Sequence, residues 1–264
     1  MLKVIFMKNT VHKISYESLK SDFINTLKNI DQTKSLSEVF QDFVFFSAAF
    51  FRNSVGQLDS LYMDMNIENE YIQRMKRYES SKSKKGFGEL LALLIEMHST
   101  KQLPYDVLGS IYMELEIGNQ HIGQYYTPSA LCDVMADLAL KNFPSIIEKQ
   151  GFVTVSDPAC GSGATLLSCV KVFIENKYRV ENTLYIEATD IDRHAALMCY
   201  VQLTLWAVPC KIYVGNSLTM EMRETWCSFM YFMKGWKSKL NSYMKIQSKK
   251  SGSGYVPNFI LVES

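Results

Sequence analysis

The chain has no apolar run of the roughly 18 residues needed to cross a bilayer. Its longest candidate, Phe43 to Phe51, is short and contains Ser47. The opening residues MLKVIFMKNT hold neither an apolar segment of signal length nor a small-residue cleavage site. Met7 is an alternative start, because nothing ahead of it carries a structural pattern. These two absences make a cytoplasmic location the expectation. An excess of one charge sign is lacking too. Lys and Arg number 28 and Asp and Glu 27, a net charge of +1, so nucleic acid would have to meet a local basic patch. Six cysteines (132, 160, 169, 199, 210, 227) include no CxxC pair and have no His at ligand spacing. That excludes a dense disulfide scaffold and a zinc cluster, and leaves reduced, mostly buried thiols. The four histidines (12, 98, 121, 194) form neither a triad nor a metal pair. Of the six prolines (104, 128, 144, 158, 209, 257), no two are adjacent.

What is there is an ordinary globular composition: 264 residues, 47% hydrophobic and 21% charged. Three zones separate along the chain. Residues 1–120 read as helical, with no alternating strand pattern. Ser35 and Glu38 have capping-box spacing, and Val39, Phe40, Phe43, Val44, Phe46 and Phe50 behind them predict a helix buried on most sides. Ser80 to Lys85, followed by Gly86 and Gly88, reads as a mobile linker whose lysines face solvent. A second helix over Glu89–Met97 follows, then Pro104 and a further segment, Asp106–Leu115.

Residues 121–218 change character. Thr127-Pro128 predicts a helix start, with the hydroxyl as N-cap and Pro at the first helical position. Leu131, Val134, Met135, Leu138 and Ala139 then define an apolar face, with Asp133 and Asp137 pointing away. Strands are expected at Phe152–Val155, Leu184–Thr189 and Lys211–Val214, with helices at Ala164–Glu175 and Asp192–Trp206 between them. Strands alternating with helices mean a parallel sheet with right-handed crossovers. Residues 219–264 read as a basic, partly disordered tail. From Thr225 to Val262 there are six lysines (234, 237, 239, 245, 249, 250) and no acid, and Ser248–Gly254 is of low complexity.

The chemistry centres on Asp157-Pro158-Ala159-Cys160-Gly161-Ser162-Gly163, placed after a strand and before a helix. A doubly wound sheet binds its ligand there, beyond the strand ends. Gly161 and Gly163 allow a sharp turn and a close approach. A dinucleotide fingerprint would carry a third Gly where Leu166 stands, and it would not place a carboxylate four residues ahead of the first Gly. That acid repels a pyrophosphate but suits a cationic amino group, which favours S-adenosylmethionine over a nicotinamide cofactor. Asp190, 29 residues after Gly161 at the second strand's end, can accept both hydroxyls of a ribose. Asp192 fits better as the cap of the next helix, and Asn216 ends the third strand.

Gly123-Gln124-Tyr125-Tyr126-Thr127-Pro128, the Asp157–Gly163 turn and Gly215-Asn216-Ser217-Leu218 together resemble the adenine-N6 DNA methyltransferases. The modification subunit of type I restriction-modification systems is the nearest in pattern, and Asp106–Tyr112 looks like the helix ahead of its GQYYTP run. The resemblance covers about 106–218. It implies the first half of a Rossmann-like class I S-adenosylmethionine-dependent methyltransferase sheet, an α/β fold, preceded by an all-helical region. It also implies S-adenosylmethionine as cofactor, DNA as partner, and a specificity subunit or second polypeptide. By this similarity Gln124, Tyr126 and Thr127 touch the methionine part, and Asp157 holds the ammonium through the turn that includes Ala159. Gly161 and Gly163 let the cofactor pass, Asp190 binds ribose, and Asn216 contacts adenine.

The family's catalytic motif, a polar residue followed by Pro-Pro and an aromatic, is missing. A flipped adenine needs that acceptor pair and stacking platform. Phe259–Val262 is the candidate fourth strand, with Ser264 where the motif would begin. Two readings therefore stand: an incomplete methyltransferase, and a cofactor-binding relic or regulatory partner without chemistry.

Overall fold

The structure, a computed structural model, describes residues 15–56, 64–78, 81–115, 127–251 and 260–262. Among the described residues five helices come first: α1 (Tyr16–Ile30), α2 (Leu36–Gly56), α3 (Met65–Lys76), α4 (Ser81–Thr100) and α5 (Val107–Glu114). In α1, Leu19, Phe23 and Leu27 recur every four residues and are buried, while the Ser15 hydroxyl accepts from the Ser18 N–H at the start. Helix α2 is buried almost all round, as its phenylalanines predict, although Phe50 is exposed. Only half of the expected capping box forms. The Glu38 N–H donates to Ser35 Oγ at 3.1 Å, but the Glu38 carboxylate turns to Lys34 and Arg77. Within α2, buried Asp42 accepts from Arg74 at 2.8 Å, Arg77 at 2.7 Å and the Tyr78 hydroxyl at 2.7 Å. A buried carboxylate needs this many partners to offset lost hydration.

The expected mobile linker is instead the first two turns of α4. Ser83, Gly86, Phe87 and Leu90 form one buried face, and Ser83 Oγ donates to the Ile30 carbonyl at 2.6 Å. A side chain at Gly86 would come within 3.0 Å of Ile30, so small residues bring α4 against α1. Composition resembled a linker because close helix packing uses the same small residues.

Next come α6 (Ser129–Ala139), α7 (Phe143–Gln150), β1 (Val153–Asp157), α8 (Ala164–Glu175), α9 (Val180–Thr183), β2 (Leu184–Asp190), α10 (Arg193–Leu205) and β3 (Cys210–Asn216). Two details of α6 correct the expectation. Pro128, not Thr127, is the N-cap, with no side-chain cap bond. The buried face is also the other one. Cys132 and Ala136 lie inward, Asp133 meets Ser168 and Lys171 of α8 at 2.8 and 2.9 Å, and Leu138 is 71% exposed. Small residues again win the helix contact, leaving larger apolar ones outside.

The chain continues through β4 (Glu221–Cys227), α11 (Phe229–Met233), α12 (Trp236–Ser251) and β5 (Ile260–Leu261). The zone from 219 is therefore not a patternless tail over its described residues. Sheet order is β4-β3-β2-β1-β5, with β3, β2, β1 and β5 parallel and β4 antiparallel to β3. The expectation of an all-parallel sheet missed β4. The expected fourth strand is β5, with Ile260 opposite Val155 and Leu261 opposite Ser156. Phe259 and Ser264 lie outside the described residues.

Two cores flank the sheet. Val155, Ile186, Ala188, Ile212 and Val214 face the main core, where Ala195 to Leu203 of α10 are buried consecutively. A helix hydrophobic on every side needs two apolar neighbours. Here one is the sheet and the other is the helical region of α2 and α5. The opposite face holds Phe152, Tyr185, Tyr231, Trp236 and Leu240 under α11 and α12. Among the described residues no helix is long and apolar enough to cross a membrane.

Candidate functional site

The sheet order puts the ends of β3, β2 and β1 side by side, with β5 on the far side of β1. The chain leaves β1 toward β2 on one side and returns to β5 on the other. The crevice beyond β1 is thus a topological switch point, where open α/β sheets bind ligands. The Asp157–Gly163 turn lies there. Gly161 and Gly163 have φ of +53° and +94°, a region L side chains avoid.

Asp190 closes the site from β2. Its Oδ2 accepts the Gly161 N–H at 2.8 Å and its Oδ1 the Asp192 N–H at 2.8 Å. The Cys160 N–H donates to the Thr189 carbonyl at 3.0 Å. The glycine turn and the second strand end are therefore one hydrogen-bonded unit. Burial pushes the Asp190 carboxyl up, against the lowering from the Asp192 and Gly161 N–H groups. The Ile191 N–H also lowers it, and the carboxylate still has acceptor capacity for a further donor. Asp192 caps α10 through the His194 N–H, as expected. Asn216 Oδ1 accepts the N–H groups of Leu218 and Thr219 at 2.9 and 3.2 Å, which leaves its NH2 group to donate elsewhere.

The remaining expected residues divide. Asp157 is fully buried behind the turn, its Oδ1 accepting the Ala159 N–H at 3.0 Å, while Ala159 itself is exposed. The Thr127 carbonyl accepts from Cys132 Sγ, and Cys132 Sγ in turn accepts from Thr165 Oγ1 in the first turn of α8, which links this strand of chain to the turn region. Gln124 and Tyr126 lie outside the described residues. Gly163 is needed for packing, since a Cβ there would sit 2.9 Å from Cys199 Sγ. At Gly161 a Cβ would meet nothing within 4 Å, so this glycine borders open space.

Sequence reasoning missed two features. Ile191, 66% exposed, directly follows the strand end at Asp190, and Leu218, 93% exposed, stands two residues after the strand end at Asn216. An exposed aliphatic residue beside each strand-end acceptor was the available signal. The second feature is a buried network behind the turn. Asp106 accepts from Gly109 N–H, Ser162 Oγ and Gln202 Nε2. Its signal was an Asp three residues ahead of Gly109 at a helix start. A cavity of about 590 Å³ also lies between the sheet and α12, with Tyr185, Glu187, Tyr213 and Tyr231 in its wall, reaching Pro158 and Ser217 at the strand ends. A larger one, about 790 Å³, lies between α1 and α4, remote from the strand ends.

A mostly parallel sheet with a glycine turn after its first strand and a hydrogen-bonded acid at the end of its second has the layout in which open α/β sheets bind ligands beyond their strand ends. The N-6 DNA Methylase family matches residues 104–244, over half of the chain, and the chain belongs to that family. S-adenosylmethionine is the cofactor that this membership implies. Two solved structures are similar to it. One is described as a class I S-adenosylmethionine-dependent methyltransferase from Listeria monocytogenes, with 16% identity and a TM-score of 0.41, covering 77% of this chain and 54% of that one. The other is the type I restriction-modification system methyltransferase subunit from Streptococcus thermophilus, with 16% identity and a TM-score of 0.39, covering 78% of this chain and 60% of that one. The chain thus spans little more than half the length of these structures. Among curated proteins none matches it.

Proposed function

We propose that this chain is the cofactor-binding part of an S-adenosylmethionine-dependent DNA adenine-N6 methyltransferase of the restriction-modification kind. The observation that carries the reading is the Asp190 carboxylate. It ties the glycine turn to the second strand end, retains acceptor capacity for a ribose, and stands beside the open space over Gly161. In this reading exposed Ile191 and Leu218 would cover the faces of a flat base, and the Asn216 NH2 group would donate to its edge. Asp157 acts through the backbone it shapes, because burial keeps its carboxylate from the opening. Gln124, Tyr126 and Thr127 would hold the amino-acid end. S-adenosylmethionine supplies a methyl group activated by its sulfonium.

The accepting amine needs a polar side chain, a proline carbonyl and an aromatic ring. No two prolines of this sequence are adjacent. Losing even one preorganised partner costs about 100-fold to 1,000-fold in rate. The acceptor site is therefore assigned to residues other than these, whether further along the same protein or on a second polypeptide, and the recognition of a DNA sequence to that part or to a specificity subunit. The test is transfer of a tritiated methyl group to unmethylated genomic DNA. The chain alone is expected to give no N6-methyladenine, and the chain with the product of the adjacent reading frame to give label. Label from this chain alone would overturn the division of labour. No label from either, despite cofactor binding, would favour a relic without chemistry.

A further inference from the structure

The glycine turn is held from behind as well as from Asp190. Asp106, the residue capping α5, meets three donors: the Gly109 N–H at 2.8 Å, Gln202 Nε2 at 2.8 Å, and Ser162 Oγ, at the centre of the turn. Gln202, fully buried on α10, also donates to the Ser162 carbonyl at 2.9 Å and accepts the Leu108 N–H at 3.0 Å. Side chain and carbonyl of Ser162 are thus both gripped, one by α5 and one by α10. Gly109 makes the approach possible. A Cβ there would lie 2.5 Å from Ser162 Oγ and 2.1 Å from Asp106 Oδ2.

We infer that Asp106 is a positioning residue for the cofactor turn, acting through Ser162 and Gln202 to hold Gly161 and Gly163 in their positive-φ conformation. A turn with two glycines has many alternative conformations, and fixing one before the ligand arrives removes an entropic cost of binding. Ser162 and Gln202 are too deeply buried to meet a ligand, so their contribution is to the shape of the turn. It follows that the helical region belongs to the binding unit, because the carboxylate comes from the segment ahead of the sheet. This rests on the cofactor reading proposed above.

Ser162→Ala removes one hydroxyl and leaves the α5 cap and the Gln202 bonds in place. Two measurements test it. Amide hydrogen exchange without ligand is expected to quicken about tenfold at Gly161 and Gly163, relative to the β2 and β3 amides. The S-adenosylmethionine dissociation constant is expected to rise about tenfold, the scale of one charge-assisted hydrogen bond. Asp106→Ala should weaken binding further, and Asp106→Asn should restore it to within about threefold, since its amide can accept from Gln202 and donate to Ser162. If Asp106→Ala does not fold, Ser162→Ala and Asp106→Asn decide. Unchanged turn exchange and unchanged affinity in Ser162→Ala would overturn the positioning role. Failure of the unaltered chain to bind S-adenosylmethionine would instead contradict the cofactor reading, and the exchange rates would then decide the role of Asp106 alone.

Discussion

Gly161 and Gly163 share a positive φ, yet they are glycines for different reasons. Gly161→Ala meets only the backbone preference, worth about 1 kcal/mol, because its Cβ would point into open space. Gly163→Ala adds overlap with Cys199, so a loss of about 2 to 4 kcal/mol is expected. Urea unfolding should therefore rank Gly163→Ala as the more damaging, and adding Cys199→Ala should recover part of that loss. Cofactor binding should rank the folded variants the other way. His98 supplies a pH-dependent term. Burial pushes its imidazole down to about 4, against the raising effect of its bond to the Leu94 carbonyl. The unfolded chain binds that proton with an ordinary pKa near 6.5. Between pH 6.5 and about 4 the unfolded state holds more protons, so acidification lowers stability, by on the order of 3 kcal/mol in full. His98→Gln should flatten the dependence of the unfolding midpoint on pH in that window. An unchanged slope would show that other groups dominate it.

Helix α4 makes a direct contrast with a linker. If residues 83–90 pack as Ser83, Gly86, Phe87 and Leu90 indicate, their amides should be protected from exchange for as long as those of α1. Exchange as fast as an open chain would contradict that packing. On the other sheet face, Trp236 is buried against Phe152 and stacked at 20° on Tyr185, with its indole N–H donating to the Glu181 carbonyl. Trp236→Ala should cost about 3 to 5 kcal/mol, read by denaturant unfolding. A cost below about 1 kcal/mol would mean that α12 behaves as the tail its lysines suggested. Lys239 explains part of that misreading. Its amine donates to the Asn182 carbonyl at 2.8 Å and lies 4.1 Å from the Trp236 ring, so it braces the fold.

The parallel strands, the helices between them and the turn were legible because their signals are local: apolar strands, glycines at a tight turn, an acid at a strand end. The segments that escaped depend on partners far along the chain. β4 follows a turn, Ser217–Met220, without Gly or Asn, and Met220 adopts a φ of +60° unannounced. The face of α6 and the helicity of 81–88 were set by small residues at close contacts, which composition reads as weak or flexible. Asp42 with Arg74 and Arg77, and Asp106 with Ser162 and Gln202, join residues 32 to 96 positions apart. No periodicity reports such pairs.

As a whole, the molecule is a sheet sandwiched by helices, with α10 caught between strands and the helical region. Arg193 at its start binds Glu70 of α3 at 2.7 and 2.8 Å and Glu224 of β4 at 3.1 Å. This arrangement leaves the strand ends as the place where a glycine turn and two strand-end polar groups have a chemical use. The most direct measurement is calorimetric titration of S-adenosylmethionine into the purified chain, with NADH titrated in parallel. Saturable heat with S-adenosylmethionine alone is expected. At 100 times its dissociation constant the ligand should stabilise the fold by about 2.7 kcal/mol. Asp190→Ala should weaken binding by about 1.5 to 3 kcal/mol. Neither heat nor thermal shift at millimolar S-adenosylmethionine, or an equal response to NADH, would contradict the assignment of these strand ends as a methyl-donor site.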